Sequence, residues 1–564
     1  MKIWWRLAIV ALGASAGCMG PILRPQSPET DLSQNPPSNT RLISSVAHPY
    51  GMKYMKLEAV ALVTGLAGTG EDPPPSSQRA ALLGEMNRRE VDNPNRVLAS
   101  NDTALVLVRG FLRPGIQAGD RFDVEVRTPS RSGTTSLRGG TLLETRLTEL
   151  AVLGGQIRKG HLMAMAQGAV FVDPSANAKK DAALTTKGRV LGGGIAAKSR
   201  KLGLFLDHEH QSIRLSQQVG KAVNRRFYSY IDGHKRGLAT PKTDGFVELE
   251  LHPRYKDNVG RYMRVVRNIA LHETSAQLQS RLLLLKNQLL DPVTSATAAL
   301  RLEAIGGDEA KEILKQGIRA EDPEVRFYAA EALAYLDVTE AVAPLAQVAR
   351  EEPAFRVNAL AALSAMDDGA AYDALRELLS VKSAETRYGA FRALWAMSPS
   401  DPLVRGEDLG GQFRYHMLDV PGPPMIHATS SHRPEIVLFG LEHELRLPLV
   451  LDAGQTILVN GLSGAQIKVS RFGKTTQQRI VSTRVDDVIR AIVELGGTYP
   501  DVVQMLQQAK EMGALSSRFR VNALPASGRE WVKLNHTTPT EKKLEKNLDS
   551  YDVETPEPQL FGKK

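Results

Sequence analysis

A repeat of roughly 30 residues in the middle of the chain restricts its fold more than any other feature. "EDPEVRFYAAEALAYL" aligns with "EEPAFRVNALAALSAM"; "DPVTSATAALRLEAI" precedes this pair and "SAETRYGAFRALWAM" follows it. Three further helical segments lie between them, and each carries a leucine at the same place: Leu314, Leu345 and Leu375. Repeats of this length stack, because each unit buries its apolar face only against its neighbours. The sequence therefore predicts an all-α solenoid over residues 291–399.

The repeat segment resembles short HEAT-type repeats. Asp322-Pro323 and Glu352-Pro353 are predicted to start helices, since a proline in the first turn loses no hydrogen bond. Solenoids of this kind imply a surface for another macromolecule and no chemistry of their own. Arginines recur once per repeat, and we expect them to donate hydrogen bonds between repeats and not to bind a ligand: Arg326, Arg356 and Arg387.

Strand-like segments flank the solenoid on both sides. From Leu57 to about Tyr255, and again after Pro402, apolar runs of four to eight residues alternate with Gly, Pro and Asp breaks. Amphipathic helices are fewer: "HQSIRLSQQVGKAVNRRF" on one side, "RVDDVIRAIVELGG" and "YPDVVQMLQQAKEMGAL" on the other. This predicts an α+β fold in which strand-rich regions, residues 55–290 and 400–530, are interrupted by the solenoid.

The first twenty residues, "MKIWWRLAIVALGASAGCMG", have the order of a secretory signal: basic residues, an apolar run, then small residues. Cys18 is the only cysteine, and "SAGC" resembles the bacterial lipobox, which makes Cys18 a lipidation candidate. The alternative is ordinary cleavage that leaves Cys18 free or removes it. We predict a signal peptide over residues 1–18, a flexible linker over 19–54 and a disordered tail over 531–564.

The chain of 564 residues has a formal net charge of +9, which favours acidic polymers as partners. Export argues against nucleic acid as that partner. A single cysteine excludes an intrachain disulfide framework.

"VALVTGLAGTGED" runs from a strand-like stretch into a glycine-rich bend, the way many phosphate loops begin. The lysine of a Walker loop is missing here, and Glu71 and Asp72 would repel phosphate. The prolines of "DPPPSS" prevent the helix that a dinucleotide loop must open. Gly65, Gly68 and Gly70 are therefore predicted to be turn residues.

No catalytic constellation is recognisable. "DHEH", from Asp207 to His210, places two histidines at i and i+2 and leaves a metal site open as an alternative, but no partner cluster can be assigned. After the leader, the chain has no Gly-x-Ser-x-Gly elbow and no His-Glu-x-x-His helix. We predict that the protein is not an enzyme and uses no cofactor and no metal.

Four stretches are similar to the flagellar P-ring protein family. Val63 to Gly70 match the family's "V-x-G-L-x-G-T-G-D" loop. Residues 400–522 end in helices whose sequences resemble the C-terminal helices of the family, with "ELGG" and "GAL" at the matching positions. "GFLRPGIQAGDRFDVEVRTPSRSGTTSLRGGTLLETRL" and "MAMAQGAV" match the family's most recognisable region through Pro114, Gly119, Asp123, Val124, Val126, Ser136, Leu137, Gly139, Gly140, Leu142, Thr145, Leu147, Ala164, Ala166, Gln167 and Gly168.

This resemblance implies a structural subunit of a homo-oligomeric ring around the flagellar rod in the periplasm. It implies the rod proteins, the L-ring proteins and peptidoglycan as partners, and a role in motility. We expect the two glycine-bearing loops to be important turns near contacts between subunits: Gly65, Gly68, Gly70, Ser136, Leu137, Gly139 and Gly140.

The chain departs from the family pattern in three ways: the solenoid is inserted, the internal disulfide of some members cannot form, and the leader resembles that of a lipoprotein. These features support an alternative, an envelope-anchored, non-enzymatic binding or scaffold lipoprotein for cell-wall polymer or a protein partner, with its lipid anchor in the outer membrane. In either case we expect the solenoid to bind a second envelope component or to pack outside the ring.

Overall fold

The computed structural model describes residues 40–153, 156–174, 182–461, 464–473, 475–526 and residue 560. The predicted signal peptide with Cys18, most of the predicted linker and nearly all of the predicted tail lie outside these residues. Leu560 is buried against the largest apolar core. Among the described helices, none has the length and apolarity needed to cross a membrane.

A closed six-stranded barrel forms the first unit, and its interior is apolar. Phe122 lies inside it opposite two glycines: a Cβ on Gly110 or on Gly194 would come within 2.7 Å of the Phe122 ring. Two helices pack on its outer side, α1 (Ser77–Arg88) and α2 (Pro94–Leu98). The strands in barrel order are β2 (Met55–Thr64), β3 (Thr103–Leu112), β4 (Arg121–Arg127), β7 (Lys187–Ala196), β6 (Gln156–Ala169) and β5 (Thr141–Leu153), with α3 (Ala182–Thr185) before β7.

A four-stranded sheet adjoins the barrel. Its order is β1 (Ala47–Tyr50), β8 (Leu202–Leu206), β12 (Phe246–Leu249) and β11 (Ala239–Pro241). Helix α4 (Ile213–Arg226) begins where the Ser212 hydroxyl accepts the Leu215 N–H, and its apolar side covers the sheet. A two-stranded hairpin, β9 (Tyr228–Ile231) and β10 (His234–Gly237), follows α4, and α5 (Val259–Arg267) leads into the solenoid.

The predicted solenoid is present, and it contains one helix more on its N-terminal side. Helix α6 packs on α7 and α8, so the helical run begins at Ser275. As predicted, α9 starts at Pro323, with the Asp322 carboxylate as its cap. The prediction for Glu352-Pro353 is wrong: these residues form a turn, and the helix starts at Arg356. The helices are α6 (Ser275–Leu290), α7 (Ser295–Ile305), α8 (Asp308–Gly317), α9 (Pro323–Tyr335), α10 (Val342–Glu351), α11 (Arg356–Ser364), α12 (Gly369–Leu378) and α13 (Ala384–Met397).

The C-terminal unit combines two sheets and two helices. The first sheet has the order β13 (Glu407–Leu409), β14 (Phe413–Leu418), β16 (Glu435–Phe439), β15 (Met425–Ala428) and β21 (Arg518–Val521). The second has the order β17 (Leu449–Ala453), β18 (Ile457–Gly461), β19 (Gln466–Arg471) and β20 (Gln477–Ser482). Helices α14 (Val485–Glu494) and α15 (Tyr499–Glu511) share their apolar core. The expected α+β class with an inserted helical solenoid is thereby confirmed.

The solenoid lies between the sheet next to the barrel and the C-terminal unit. One continuous apolar core joins all three: it includes Val247 of β12, Phe327 of α9, Phe391 of α13 and Phe439 of β16. Helices α9, α11 and α13 are buried almost all round, whereas α8, α10 and α12 are exposed along one side. The inserted helices therefore form part of the protein's main core.

Candidate functional site

The two glycine-bearing loops, predicted separately from the sequence, lie against each other at one end of the barrel. The Thr69 hydroxyl donates to the Ser136 carbonyl at 2.7 Å, and the Thr135 N–H donates to the Thr69 carbonyl at 2.9 Å. The Leu137 N–H donates to the Thr185 carbonyl at 2.9 Å and so fixes the second loop to the end of α3, just before β7. The loop that follows β2 and the loop that precedes β5 therefore form one structural unit, which we call the loop pair (residues 65–71 and 132–140).

Glycine is required in the loop pair for two different reasons. Gly65, Gly68 and Gly139 have φ of 79°, 71° and 74°, values that residues with a Cβ rarely adopt. At the other two the neighbours are too close: a Cβ on Gly70 would lie 2.0 Å from the Thr103 carbonyl oxygen, and one on Gly140 would lie 2.4 Å from Val63 Cγ1. Gly65 and Gly68 have the backbone angles predicted for turn residues, whereas Gly70 differs from that prediction, because close packing against Thr103 and not a positive φ requires glycine there.

The loop pair is only partly available to another molecule. Ser136 and Leu137 are buried within their own chain, whereas Gly65, Gly68 and Gly139 are exposed at the tip. The expectation that the loops lie near contacts between subunits stays a prediction. A neighbouring subunit would reach the loop pair at these three exposed glycines.

Asp123 fastens the barrel to the C-terminal unit. Its carboxylate accepts the Gly192 N–H at 2.8 Å from the neighbouring barrel strand and the His432 N–H at 2.8 Å from the C-terminal unit. Burial raises the pKa of Asp123, although these two hydrogen bonds and Arg189 act in the opposite direction. Phe171 of the barrel also enters the core of the C-terminal unit. Asp123 belongs to the family-like "DV-x-V" stretch, and only the fold reveals this role.

A buried charged cluster joins the last solenoid helix to the C-terminal sheet. Its centre is Glu435 of β16, which is fully buried. The Arg433 guanidinium lies 2.5 Å from the Glu435 carboxylate, that of Arg392 lies 3.6 Å away, and the Tyr388 hydroxyl donates to it. Burial alone would raise the pKa of Glu435, but the two arginines outweigh it and hold the pKa at about 2. We call this group the Glu435 cluster (Tyr388, Arg392, His416, His427, Arg433 and Glu435).

Two buried histidines of the Glu435 cluster are held neutral. Burial lowers the pKa of His416 to about 4 and that of His427 to about 3, although the Glu435 carboxylate acts in the opposite direction. The His427 ring stacks on Tyr388 with centroids 3.6 Å apart, and its Nε2 accepts the Ala523 N–H at 2.9 Å. A neutral ring with an accepting Nε2 carries its proton on Nδ1.

A second buried cluster joins the other end of the solenoid to α5. The Arg261 guanidinium lies 2.5 Å from the Glu303 carboxylate and 2.6 Å from that of Glu331. The Tyr255 hydroxyl donates to Glu303 at 2.6 Å. Burial is the largest influence on Glu331 and raises its pKa, with Arg261 opposing it. Pairing of this kind is required where charges are buried, so α5, α7 and α9 are fixed in one arrangement.

The repeated arginines act as predicted, between and at the ends of repeats. The Arg356 guanidinium donates to the Ala349 carbonyl at 2.9 Å, and that of Arg387 donates to the Leu379 carbonyl at 2.6 Å. Arg326 donates to the Ala320 carbonyl at 2.9 Å. Each thereby satisfies a carbonyl near the end of the preceding helix, where no intrahelical donor remains.

The Asp207–His210 stretch does not assemble a metal site. In a short 3-10 turn, His208 is exposed and His210 is half-buried, and the Asp207 carboxylate lies 3.0 Å from Nε2 of His48. Within the part of the chain that the structure describes, no group of three or more His, Cys, Asp or Glu side chains is arranged to hold a metal ion. Cys18 lies outside that part.

Comparison with known proteins supports the two resemblances. Residues 42–282 match the family model of the flagellar P-ring protein, and residues 312–395 match that of HEAT repeats. The flagellar P-ring protein of Aquifex aeolicus is 30% identical over 198 residues, 33% of this chain and 51% of the relative. Those of Geobacter metallireducens and Hydrogenovibrio crunogenus are 28% and 31% identical, over 39% and 40% of this chain and 59% and 60% of the relatives.

These matches confirm the resemblance to the P-ring family over the barrel and the adjoining sheet, and that of the solenoid to HEAT repeats. The chain spans about half the length of the curated relatives it matches. The similarity drawn for residues 400–522 lies outside the matched family model and stays a prediction.

Proposed function

We propose that the chain is a structural subunit of a P-ring-like homo-oligomeric ring around the flagellar rod in the periplasm, where it contributes to motility. The observation that carries this proposal is that the matched residues, 42–282, contain the whole of the closed barrel, its loop pair and the adjoining sheet. The matching curated relatives are named flagellar P-ring proteins. The rod proteins, the L-ring proteins and peptidoglycan are the partners that this role requires.

The edge strand β20 supports contacts between copies. Among the described strands it pairs only with β19, and Ile480 at its centre is 67% exposed. An open strand edge offers unpaired N–H and C=O groups to a second chain. Repeated head-to-tail contacts of this kind form a closed ring when the rotation between neighbouring copies divides a full turn into equal steps. We therefore assign one side of the contact between copies to β20.

The test is the assembly of the purified, exported chain. Light scattering at increasing concentration and electron microscopy should show closed rings. Ile480→Lys should leave monomers, whereas Leu283→Lys, at a site of similar exposure (64%) on α6, should still form rings. A wild-type chain that remains monomeric at high concentration contradicts the ring. Rings formed equally by both variants contradict only the role of β20.

The solenoid favours a second candidate, an envelope-anchored scaffold protein without a flagellar role, because it lies outside the P-ring match. Its surface for a protein partner is the exposed side of α8, α10 and α12, since its other side is covered by the chain itself. A deletion strain that swims normally and has intact basal bodies would favour this candidate, and loss of the ring from basal bodies would favour the first.

A further inference from the structure

Helix α4 carries a basic stripe on the side opposite its buried face. Leu215, Val219 and Val223 point into the core at helical spacing. Three exposed positions on the opposite side, at i, i+7 and i+11, are basic: Arg214, Lys221 and Arg225. The uncharged Gln217 and Gln218 lie between them.

The charge of this stripe is not neutralised within the protein. Within the described ranges, none of the three side chains forms an ion pair, whereas other basic residues nearby do: Lys201 pairs with Glu248 and Arg236 with Glu250. The stripe therefore presents three full positive charges to the surroundings.

The hairpin that follows α4 adds aromatic rings and a further lysine. Tyr228 and Tyr230 lie on the same face of β9, and Lys235 is the register partner of Tyr230 across the hairpin. The Lys235 ammonium lies 3.7 Å from the centroid of the Tyr228 ring, and Tyr230 is 68% exposed. Asp232 in the turn is the acidic residue of this hairpin.

The tyrosine face of the hairpin is turned toward the last turn of α4. Gly237 is the register partner of Tyr228, and a Cβ on Gly237 would lie 2.2 Å from the side-chain carbon of Asn224. The Asn224 side chain holds this arrangement, because it donates to the Ala239 carbonyl at 2.8 Å and accepts the Ala239 N–H at 2.7 Å. Helix and hairpin are thus in contact through Asn224, and we call their basic and aromatic residues together the basic-aromatic surface: Arg214, Lys221, Arg225, Tyr228, Tyr230 and Lys235.

We propose that the basic-aromatic surface binds the anionic headgroups of a phospholipid membrane. Lysine and arginine are attracted to anionic lipid by roughly 1 kcal/mol each, and tyrosine rings favour the headgroup region, where one end of the ring is apolar and the hydroxyl is hydrated. The chain enters this same unit at Thr40. Residues 19–39 span up to about 70 Å when extended, so a membrane that holds Cys18 is within reach. This proposal is independent of ring formation.

The experiment measures binding of the full chain to vesicles, in a Cys18→Ser background so that no acyl chain contributes. Vesicles contain phosphatidylcholine alone or with about a third of phosphatidylglycerol, a composition chosen so that each basic residue is expected to contribute roughly 1 kcal/mol. The chain should bind the anionic vesicles selectively, and added salt should weaken this binding. The triple change Arg214→Gln, Lys221→Gln and Arg225→Gln should weaken it on the order of 100-fold.

A matched control removes the same charge elsewhere. Arg319, Arg350 and Arg376 are exposed residues of the solenoid, and their joint change to Gln should alter vesicle binding by no more than about 3-fold, because screening limits the effect of distant charge. The double change Tyr228→Ser and Tyr230→Ser should weaken the part of the binding that persists at high salt. Absence of binding to anionic vesicles, or an equal loss in both triple variants, overturns the proposal.

Discussion

At the scale of single residues, the loop pair shows how a short motif can be identified correctly while its role stays hidden. "GLAGTGE" and "SLRGGT" are recognisable as turns because glycine is the residue that permits positive φ and close contacts. That the two turns hydrogen-bond each other follows from barrel closure, which brings β2 and β5 together across 76 intervening residues of chain (65 to 140). No local pattern carries that information.

Gly140 provides the sharpest test at this scale. A Cβ there would meet Val63 at 2.4 Å and Leu66 at 2.8 Å, so Gly140→Ala should lower the free energy of unfolding by about 1–3 kcal/mol. Gly84 is the matched control: it lies inside α1 with no atom near its missing Cβ, and Gly84→Ala should raise the free energy of unfolding by roughly 0.5–1 kcal/mol. Urea unfolding measures both. A loss at Gly84, or no loss at Gly140, would contradict the packing described.

At the scale of elements, the solenoid helices fall into two kinds that the sequence already distinguishes. Helices α8, α10 and α12 have one apolar side, which is the pattern of a surface helix. Helices α9 and α11 are apolar almost all round, as in "EALAYL" and "NALAALSAM", and a helix of that kind is covered on both sides. The sequence therefore held a signal that the inner helices are covered by more than their neighbours, although it did not indicate what covers them.

The junction of α13 with the C-terminal sheet should be sensitive to acid. His427 is neutral when folded, with a pKa near 3, and would bind a proton near its ordinary pKa of 6.5 when unfolded. The unfolded chain therefore binds more protons between pH 6.5 and 3, and stability is lost as the pH falls through this window. Glu435 acts in the same direction below pH 4.5, where its ordinary pKa lies, since its folded pKa is about 2.

His427→Gln, which keeps an acceptor for the Ala523 N–H, tests this expectation. Between pH 7.5 and pH 5.5, the wild-type free energy of unfolding should fall by about 1.4 kcal/mol more than that of the variant. His161→Gln, at an exposed site on β6, is the control and should follow the wild type. Parallel pH profiles for wild type and His427→Gln would show that His427 is not kept neutral.

At the scale of the whole molecule, local sequence patterns predicted the kinds of units but not their arrangement. The strands and helices on both sides of the solenoid follow from alternation and helical periodicity. The hydrogen bond from His432 to Asp123 joins residues 309 positions apart, and the Glu435 cluster joins α13 to three strands of a sheet. Contacts of this range depend on the complete fold, so local patterns did not indicate that the inserted solenoid shares a core with its flanking units.

Deletion of residues 291–399 should therefore not yield a smaller folded subunit. It would remove Phe327, Phe391 and most other members of the largest core and expose the apolar residues of α5 and β16 that pack on them. We expect the deleted chain to be insoluble, or to lack cooperative unfolding in circular dichroism. The Arg319, Arg350 and Arg376 triple change to Gln, confined to exposed positions, should unfold like the wild type. A soluble, cooperative deletion product would contradict the shared core.

The contacts of Asp123 have a mechanical consequence. Barrel, adjoining sheet, solenoid and C-terminal unit are connected in that order along the chain, and the His432 to Asp123 hydrogen bond closes the circuit back to the barrel. A force applied to one unit is then transmitted to any other in two ways, along the chain and through the contact between Asp123 and His432. A chain connected in this way resists shear without relying on a single contact, which suits the position around a rotating rod that we propose for it.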